Sequence, residues 1–120
     1  MWVGDYGEFV AQSYLKSQQC VILKTNWKHR RGGEIDIVCR HGDVLCFVEV
    51  KTRTEETWGS GLRAVDADKR HLIRAGAYLW RRSLNRPDVP YRYDVIEVLL
   101  SLGKRPEIRW VQSAFYEKDR

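Results

Sequence analysis

Cysteine is scarce in this 120-residue sequence: Cys20, Cys39 and Cys46 are the only three, and no two form a C-x-x-C pair. An odd count without framework spacing speaks against a disulfide scaffold and fits a reducing, cytoplasmic compartment. His29, His41 and His71 have no ligand spacing to those cysteines, so a zinc site lacks its donor set. Each cysteine falls within an apolar strand pattern and reads as a small buried hydrophobe. No apolar run nears the ~20 residues of a membrane-spanning helix, and no membrane partner is expected. Met1-Trp2-Val3-Gly4-Asp5 has neither the basic start nor the apolar centre of a signal peptide. Repeats, low-complexity tracts and linkers are missing too, which predicts one domain over residues 1–120.

What is present is a globular composition, 43% hydrophobic and 12% aromatic, with a formal net charge of +5. A basic chain of this kind suits a polyanionic partner such as nucleic acid.

The most informative stretch is Gly33 to Arg40, a short link, and Val44 to Thr52. Ile35, Ile37 and Cys39 alternate with Glu34, Asp36 and Val38. In the second run Val44, Cys46, Val48 and Val50 alternate with Leu45, Phe47, Glu49 and Lys51. Period-two alternation predicts two strands, and Arg40-His41-Gly42-Asp43 predicts the hairpin turn between them. A turn centred on His41 and Gly42 sets Asp36 opposite Phe47 and Glu34 opposite Glu49. Glu34, Asp36, Glu49 and Lys51 then share one face, and a slip of one residue would scatter them. Like charges placed opposite each other destabilise a sheet, so the cluster asks for a counter-ion. Converging carboxylates are hard oxygen ligands suited to Mg²⁺ or Mn²⁺. A lysine beside them can position a water or stabilise developing negative charge.

Around the hairpin, residues 4–19 predict a helix with Tyr6, Val10 and Tyr14 on its inner stripe and Glu8 at the stripe's edge. Val21 to Asn26 predicts a strand. Asn26 to Gly33 predicts a loop, with Gly32-Gly33 as a hinge. Trp27, Lys28, Arg30 and Arg31 in that loop suit base stacking and phosphate contact, or simple solvation. Arg53 to Arg63 reads as an irregular excursion. A helix capped by Asp66 then runs to about Leu84, with Val65, Leu72, Gly76, Leu79 and Trp80 inward and Arg70, Arg74 and Arg81 on a solvated face. Lys69 lies on the inner side of that helix start, a place for a lysine that reaches a carboxylate or an anion. Tyr91–Leu100 predicts a strong strand and Ile108–Val111 a weaker one. The order α-β-β-β-α-β-β implies an α/β fold, a mixed sheet with helices packed on it.

Order and residues together resemble a known family. Gly4-x-x-Gly7-Glu8-x-x-Ala11-x-x-Tyr14-Leu15, Gly33-Glu34-Ile35-Asp36, Phe47-Val48-Glu49-Val50-Lys51-Thr52-Arg53 and Tyr93-Asp94-Val95-Ile96 look like the UPF0102 (YraN-like) family. The resemblance spans nearly the whole chain. It implies a restriction-endonuclease-like core, similar to archaeal Holliday-junction resolvases, which carry a helix glutamate, an aspartate and a Glu-x-Lys on a hairpin. Matched motif to motif, Glu8 takes the helix position, Asp36 the metal-binding aspartate, Glu49 the second acid and Lys51 the lysine. Many members of that superfamily have Pro-Asp where this chain has Ile35-Asp36, which is the form of the resolvase-like branch.

The reading that follows is a metal-dependent nuclease acting on DNA, with branched, recombination or repair intermediates among its expected substrates. Asp36, Glu49 and the Val50 carbonyl would hold Mg²⁺ or Mn²⁺, and Glu8 and Lys51 would complete the catalytic set. Trp27, Lys28, Arg30, Arg31, Arg53 and Lys69 would contact nucleic acid. Resolvases act as dimers because a junction offers two symmetric strands; Trp58, Trp110 and Phe115 are the candidates for a homodimer surface. Two alternatives stand beside it: a nucleic-acid-binding module of the same fold that does not cleave, and an adaptor whose acidic patch pairs internally with Lys51 and Lys69.

Overall fold

The computed structural model describes residues 3–54, 67–86 and 88–118. Among these residues five strands form one sheet in the order β1-β2-β3-β4-β5, with a helix on each face. In chain order the elements are α1 (Val3–Ser17), β1 (Cys20–Lys28), β2 (Glu34–His41), β3 (Val44–Arg53), α2 (Ala67–Arg82), β4 (Tyr91–Leu99) and β5 (Glu107–Phe115). Of these described strands only β3 and β4 run parallel, joined by the crossover that contains α2; the other neighbours are antiparallel. The predicted α/β order is the observed one. The excursion expected after Thr54, the Asp66 cap, Trp58 and Val65 lie outside the described residues.

Alternation in the central strands divides the core between the two faces. Ile37, Cys39, Cys46, Val48, Ile96 and Val98 point towards Ala11 and Leu15 of α1. Val38, Leu45, Phe47, Tyr93 and Val95 point towards Ile73 and Ala77 of α2. Burying side chains of this size contributes roughly 1.5–3 kcal/mol each before entropy is counted. The three cysteines are buried free thiols, as their strand pattern predicts, and Cys39 lies directly across from Cys46.

The buried stripe of α1 is Gly7, Ala11 and Leu15, not Tyr6, Val10 and Tyr14. Tyr6 is exposed, and Tyr14 and Val10 flank the contact. Small residues win the inner position because the helix lies hard on β3. A Cβ at Gly7 would fall 1.9 Å from Thr52 Oγ1. On α2 the inward line is Ile73, Gly76 and Ala77, with Leu72, Leu79 and Trp80 half-buried beside it. The predicted hinge at Gly32-Gly33 is a packing point. Gly33 is buried with φ of 101°, and a Cβ there would lie 2.6 Å from the Gly76 nitrogen.

Arg74 and Arg81 do not form a solvated face. Arg74 Nε donates to the Tyr116 carbonyl at 2.8 Å, and the Arg81 guanidinium stacks 4.0 Å from the Tyr91 ring centre. The chain after β5 returns along this flank of α2 and recruits them. Phe115 is buried and stacked on Tyr93, and Trp110 packs against Tyr14 and His41, so neither offers a bare apolar surface for a second copy. Among the described residues no helix is long and apolar enough to cross a membrane.

Candidate metal and phosphate site

The hairpin turn determines where the acids meet. Gly42, with φ of 62°, takes the first central position of a two-residue turn, and His41 pairs with Val44. This is the geometry a II′ turn requires. The register is therefore two residues away from the expected one: Val38, not Asp36, faces Phe47, and Glu34 is not opposite Glu49. A shift of two preserves the face of every side chain. Asp36, Glu49 and Lys51 still converge.

Beyond Ile37↔Val48 the β2–β3 ladder ends, while β2 stays paired to β1 as far as Lys28↔Glu34. Ile35 packs on the α2 side although Ile37 packs on the α1 side, so the strand rotates at Asp36. Into the resulting gap Asp36 Oδ2 accepts a hydrogen bond from the Val50 amide at 2.9 Å. The carboxylate replaces the ladder carbonyl that the departing strand no longer offers. Glu49 follows Val48 immediately, so its side chain enters the same gap.

Glu49 is 3% exposed, and its Oε2 has no hydrogen-bond partner. A buried oxygen left so costs on the order of 1–3 kcal/mol, more when charged. Its Oε1 lies 3.4 Å from Lys51 Nζ and 3.7 Å from Lys69 Nζ. Burial first, then the nearby Asp36, pushes the Glu49 carboxyl up to about 8, although Lys69 and Lys51 pull the other way. The two carboxyls are also within hydrogen-bond reach of each other, a contact that a shared proton makes favourable.

Glu8 reaches the same gap from α1, one residue beyond the Gly7–Thr52 contact. Burial, then Asp36 and Asp5, raises its carboxyl to about 6. Asn26, in the left-handed region with φ of 50°, sets its side-chain amide against Glu8; with the amide assigned so that its nitrogen faces the carboxylate, it donates to both oxygens at 2.9 and 3.1 Å. Lys69 enters from the first turn of α2, 3.3 Å from Glu34 Oε1. Burial works to lower its ammonium, but Glu49, Asp36 and Glu34 outweigh that and leave it raised.

A cavity of about 340 Å³ opens here, lined by Gly4, Asp5, Glu8, Asp36 and the Glu49–Arg53 segment. It is the place where acids, Lys51 and a backbone edge come together. Another cavity of about 310 Å³, below the segment after β5, is walled by Tyr91, Tyr93 and Phe115. Glu117 there already accepts hydrogen bonds from the Tyr91 and Tyr93 hydroxyls.

The family model described as "Uncharacterised protein family UPF0102" matches residues 7–98. The chain belongs to the UPF0102 family. A UPF0102 protein of Solibacter usitatus is 40% identical over 116 residues, covering 93% of this chain and 84% of the relative. UPF0102 proteins of Rhodococcus jostii and Pseudomonas aeruginosa are each 38% identical, covering 94% and 93% of this chain and 95% and 90% of their own. Glu8, Glu34, Asp36, Glu49, Lys51 and Lys69 all fall inside the matched span, and Asp5 lies just before it.

This UPF0102 chain thus brings together Glu8, Asp36, Glu49, Val50 and Lys51, with Lys69 across Glu49 from the cavity wall. Of the other residues predicted to meet nucleic acid, Arg53 lines the same cavity, and Trp27, Lys28, Arg30 and Arg31 lie apart from it. Arg30 and Arg31 are exposed on the β1–β2 connection, and Lys28, also exposed, lies 3.8 Å from Glu34. Trp27 is half-buried and meets Trp80 edge-on with ring centres 5.4 Å apart. Arg53 Nε lies 3.6 Å from Glu97 Oε2.

Sequence reasoning passed over Asn26, Asp5 and Glu97. Glu97, 1% exposed, sits on β4 as the register partner of Lys51 on β3. An acid in the apolar run Val95-Ile96-Glu97-Val98 was the available signal. Asp94 is structural: it takes bonds from Arg92, Trp110 Nε1 and the Ser113 amide, filling the β4–β5 bulge.

Two carboxylates suit the donor set of a magnesium-like ion, which commonly keeps several waters and takes one or two carboxylates plus phosphate oxygens. Among the described residues no group of three His, Cys, Asp or Glu side chains forms a ready-made metal cage. The unpartnered Glu49 Oε2 beside Asp36 nonetheless fits a cation bound through carboxylates, carbonyl and solvent.

Proposed function

We propose that this UPF0102 protein is a metal-dependent nuclease of restriction-endonuclease-like fold that hydrolyses phosphodiester bonds in DNA, branched or repair intermediates included. The observation that carries this reading is the pairing of Asp36 with a buried Glu49 whose second oxygen is left over. A fold serving only stability gains nothing from two acids held so close.

Asp36, Glu49 and the Val50 carbonyl would hold Mg²⁺ or Mn²⁺. The bound ion supplies Lewis acidity and makes a coordinated water easier to deprotonate. Lys51, anchored by Glu49, is placed to orient the attacking water and to stabilise charge developing on the phosphoryl oxygens. Glu8, with a carboxyl near 6, is suited to exchanging a proton at neutral pH. Arg30 and Arg31 extend from the β1–β2 connection with no side-chain role in the core, which suits contact with the phosphate backbone. The buried free thiols accord with a reducing cytoplasm.

Two other readings stand beside it, a binding module of the same fold that does not cleave and an adaptor, and the ion pairs that Lys51 and Lys69 already make with Glu49 suit the adaptor. The deciding assay incubates labelled duplex, single-stranded and branched DNA, and RNA, with the protein with and without Mn²⁺. Mn²⁺-dependent cleavage that Asp36→Asn abolishes supports the nuclease. Binding without cleavage on every substrate supports the module.

A further inference from the structure

Lys69 enters the site from α2, and its placement is not explained by nucleic-acid contact alone. Its Nζ lies 3.7 Å from the Glu49 oxygen that Lys51 Nζ approaches at 3.4 Å. Two ammonium groups on one carboxylate oxygen are more than Glu49 requires. They match the charge that Asp36 and Glu49 carry together once the proton they share is lost, as metal binding requires, and so together carry the charge of one divalent ion. A divalent ion arriving in a site already neutralised would leave excess positive charge in a buried setting, which is costly unless an ammonium leaves.

Lys51 is poorly placed to leave. It stands on β3 two residues from Glu49, within a strand paired to β4 at Lys51↔Glu97. Lys69 is better placed to swing, because it reaches in from the first turn of α2. It already has a second anchor, Glu34 Oε1 at 3.3 Å, and Glu34 is 33% exposed at the rim.

We propose that Lys69 serves as the built-in counter-ion of the metal-free site and moves off Glu49 towards the Glu34 rim when a divalent ion binds, where its ammonium meets a phosphate of the nucleic acid. The proposal rests on the nuclease reading and adds a role for Lys69 to it. Lys69 is then both a competitor of the metal and a ligand for the substrate. Metal arrival converts it from the first to the second.

The test is amine acylation of the full-length protein, quantified lysine by lysine by mass spectrometry during a Mn²⁺ titration, with metal binding followed in parallel by thermal shift. Lys69 is expected to react slowly without metal and severalfold faster at saturating Mn²⁺, while Lys51 changes little. Adding a phosphorothioate oligonucleotide should protect Lys69 again. Lys69→Gln should move Mn²⁺ binding to lower concentration, and Arg70→Gln, the same charge change one residue on, should not. If Mn²⁺ binds and Lys69 reactivity stays flat or falls, the exchange is wrong and the nuclease reading stands. If Lys69→Gln and Arg70→Gln shift metal binding alike, the effect is general electrostatics and the proposal fails. If Mn²⁺ does not bind at all, both readings fall.

Discussion

Asp36 Oδ2 and the Val50 amide lie 2.9 Å apart across the point where β2 leaves β3. The bond replaces a backbone ladder contact, so Asp36 completes the sheet while its other oxygen remains in the gap with Glu49. One residue thereby has two duties, and substitutions can separate them.

Asparagine keeps an acceptor for Val50 and removes the charge that presses on Glu49 and Glu8. Asp36→Asn should therefore melt at the same temperature as the wild type or higher without metal, and lose its response to Mn²⁺. Asp36→Ala orphans the Val50 N–H and should cost about 1–3 kcal/mol. Thermal melts of the three proteins with and without Mn²⁺ check this. A large metal-independent loss in Asp36→Asn would make the aspartate structural alone.

The raised carboxyls predict an unusual pH dependence. An unperturbed Glu releases its proton near 4.5, whereas Glu8 holds on to about 6 and Glu49 to about 8. Across that window the folded chain binds more protons than the unfolded one, so metal-free stability falls as pH rises and levels off above about 8. Asp36→Asn should flatten the fall. Mn²⁺ affinity should move the opposite way, rising through the same window as bound protons are released. Urea midpoints measured against pH, with and without Mn²⁺, test both signs; metal-free stability that climbs towards pH 8 contradicts them.

The seat of α2 is as specific as the acids. Gly33→Ala combines positive φ with a Cβ 2.6 Å from the Gly76 nitrogen. Strain and overpacking of about 1–3 kcal/mol each predict a loss on the order of 2–6 kcal/mol. Gly32→Ala, with φ of 93° and nothing within 4 Å, should lose only the conformational part, roughly 1–2 kcal/mol. Equal losses in chemical denaturation would mean that the close approach to Gly76 carries no energy.

Charge reversal at Arg30 and Arg31 should weaken DNA binding and leave the Mn²⁺-induced thermal shift unchanged. For every phosphate that the loop no longer neutralises, the salt slope should shrink by about 0.9 on duplex DNA. Isotherms at several salt concentrations measure it, and an unaltered slope would return the loop to solvent.

Much of this site was legible in the sequence because strand alternation fixes faces. Asp36, Glu49 and Lys51 share one whether the turn centres on His41-Gly42 or, as observed, one residue later. What alternation cannot show is where a ladder stops. The departure of β2 at Asp36 depends on the Val50 bond and on Gly33 meeting Gly76, which comes from an element far along the chain. Lys69 was legible as an inward lysine, but its partner Glu34 stands 35 residues away. The Arg74 and Arg81 stripe misled because helical periodicity says nothing of the segment after β5 that covers it. Tyr6 misled because an aromatic outranks a glycine in any hydrophobic pattern, although the closest packing belonged to Gly7.

Lys51 is the residue at which cleavage and binding separate most cleanly. Its ammonium, 3.4 Å from Glu49, is needed most where charge on the phosphoryl oxygens is greatest, in the transition state, and less in ground-state binding. The measurement pairs single-turnover cleavage with equilibrium binding of the same DNA in Mn²⁺, wild type against Lys51→Ala. A nuclease of this design should show wild-type cleavage, a loss of orders of magnitude in rate for the variant, and a fall in affinity of no more than about tenfold, ~1.4 kcal/mol. A wild-type protein that binds but cuts no duplex, single-stranded or branched substrate contradicts the nuclease; a variant that cuts at the wild-type rate contradicts the role given to Lys51.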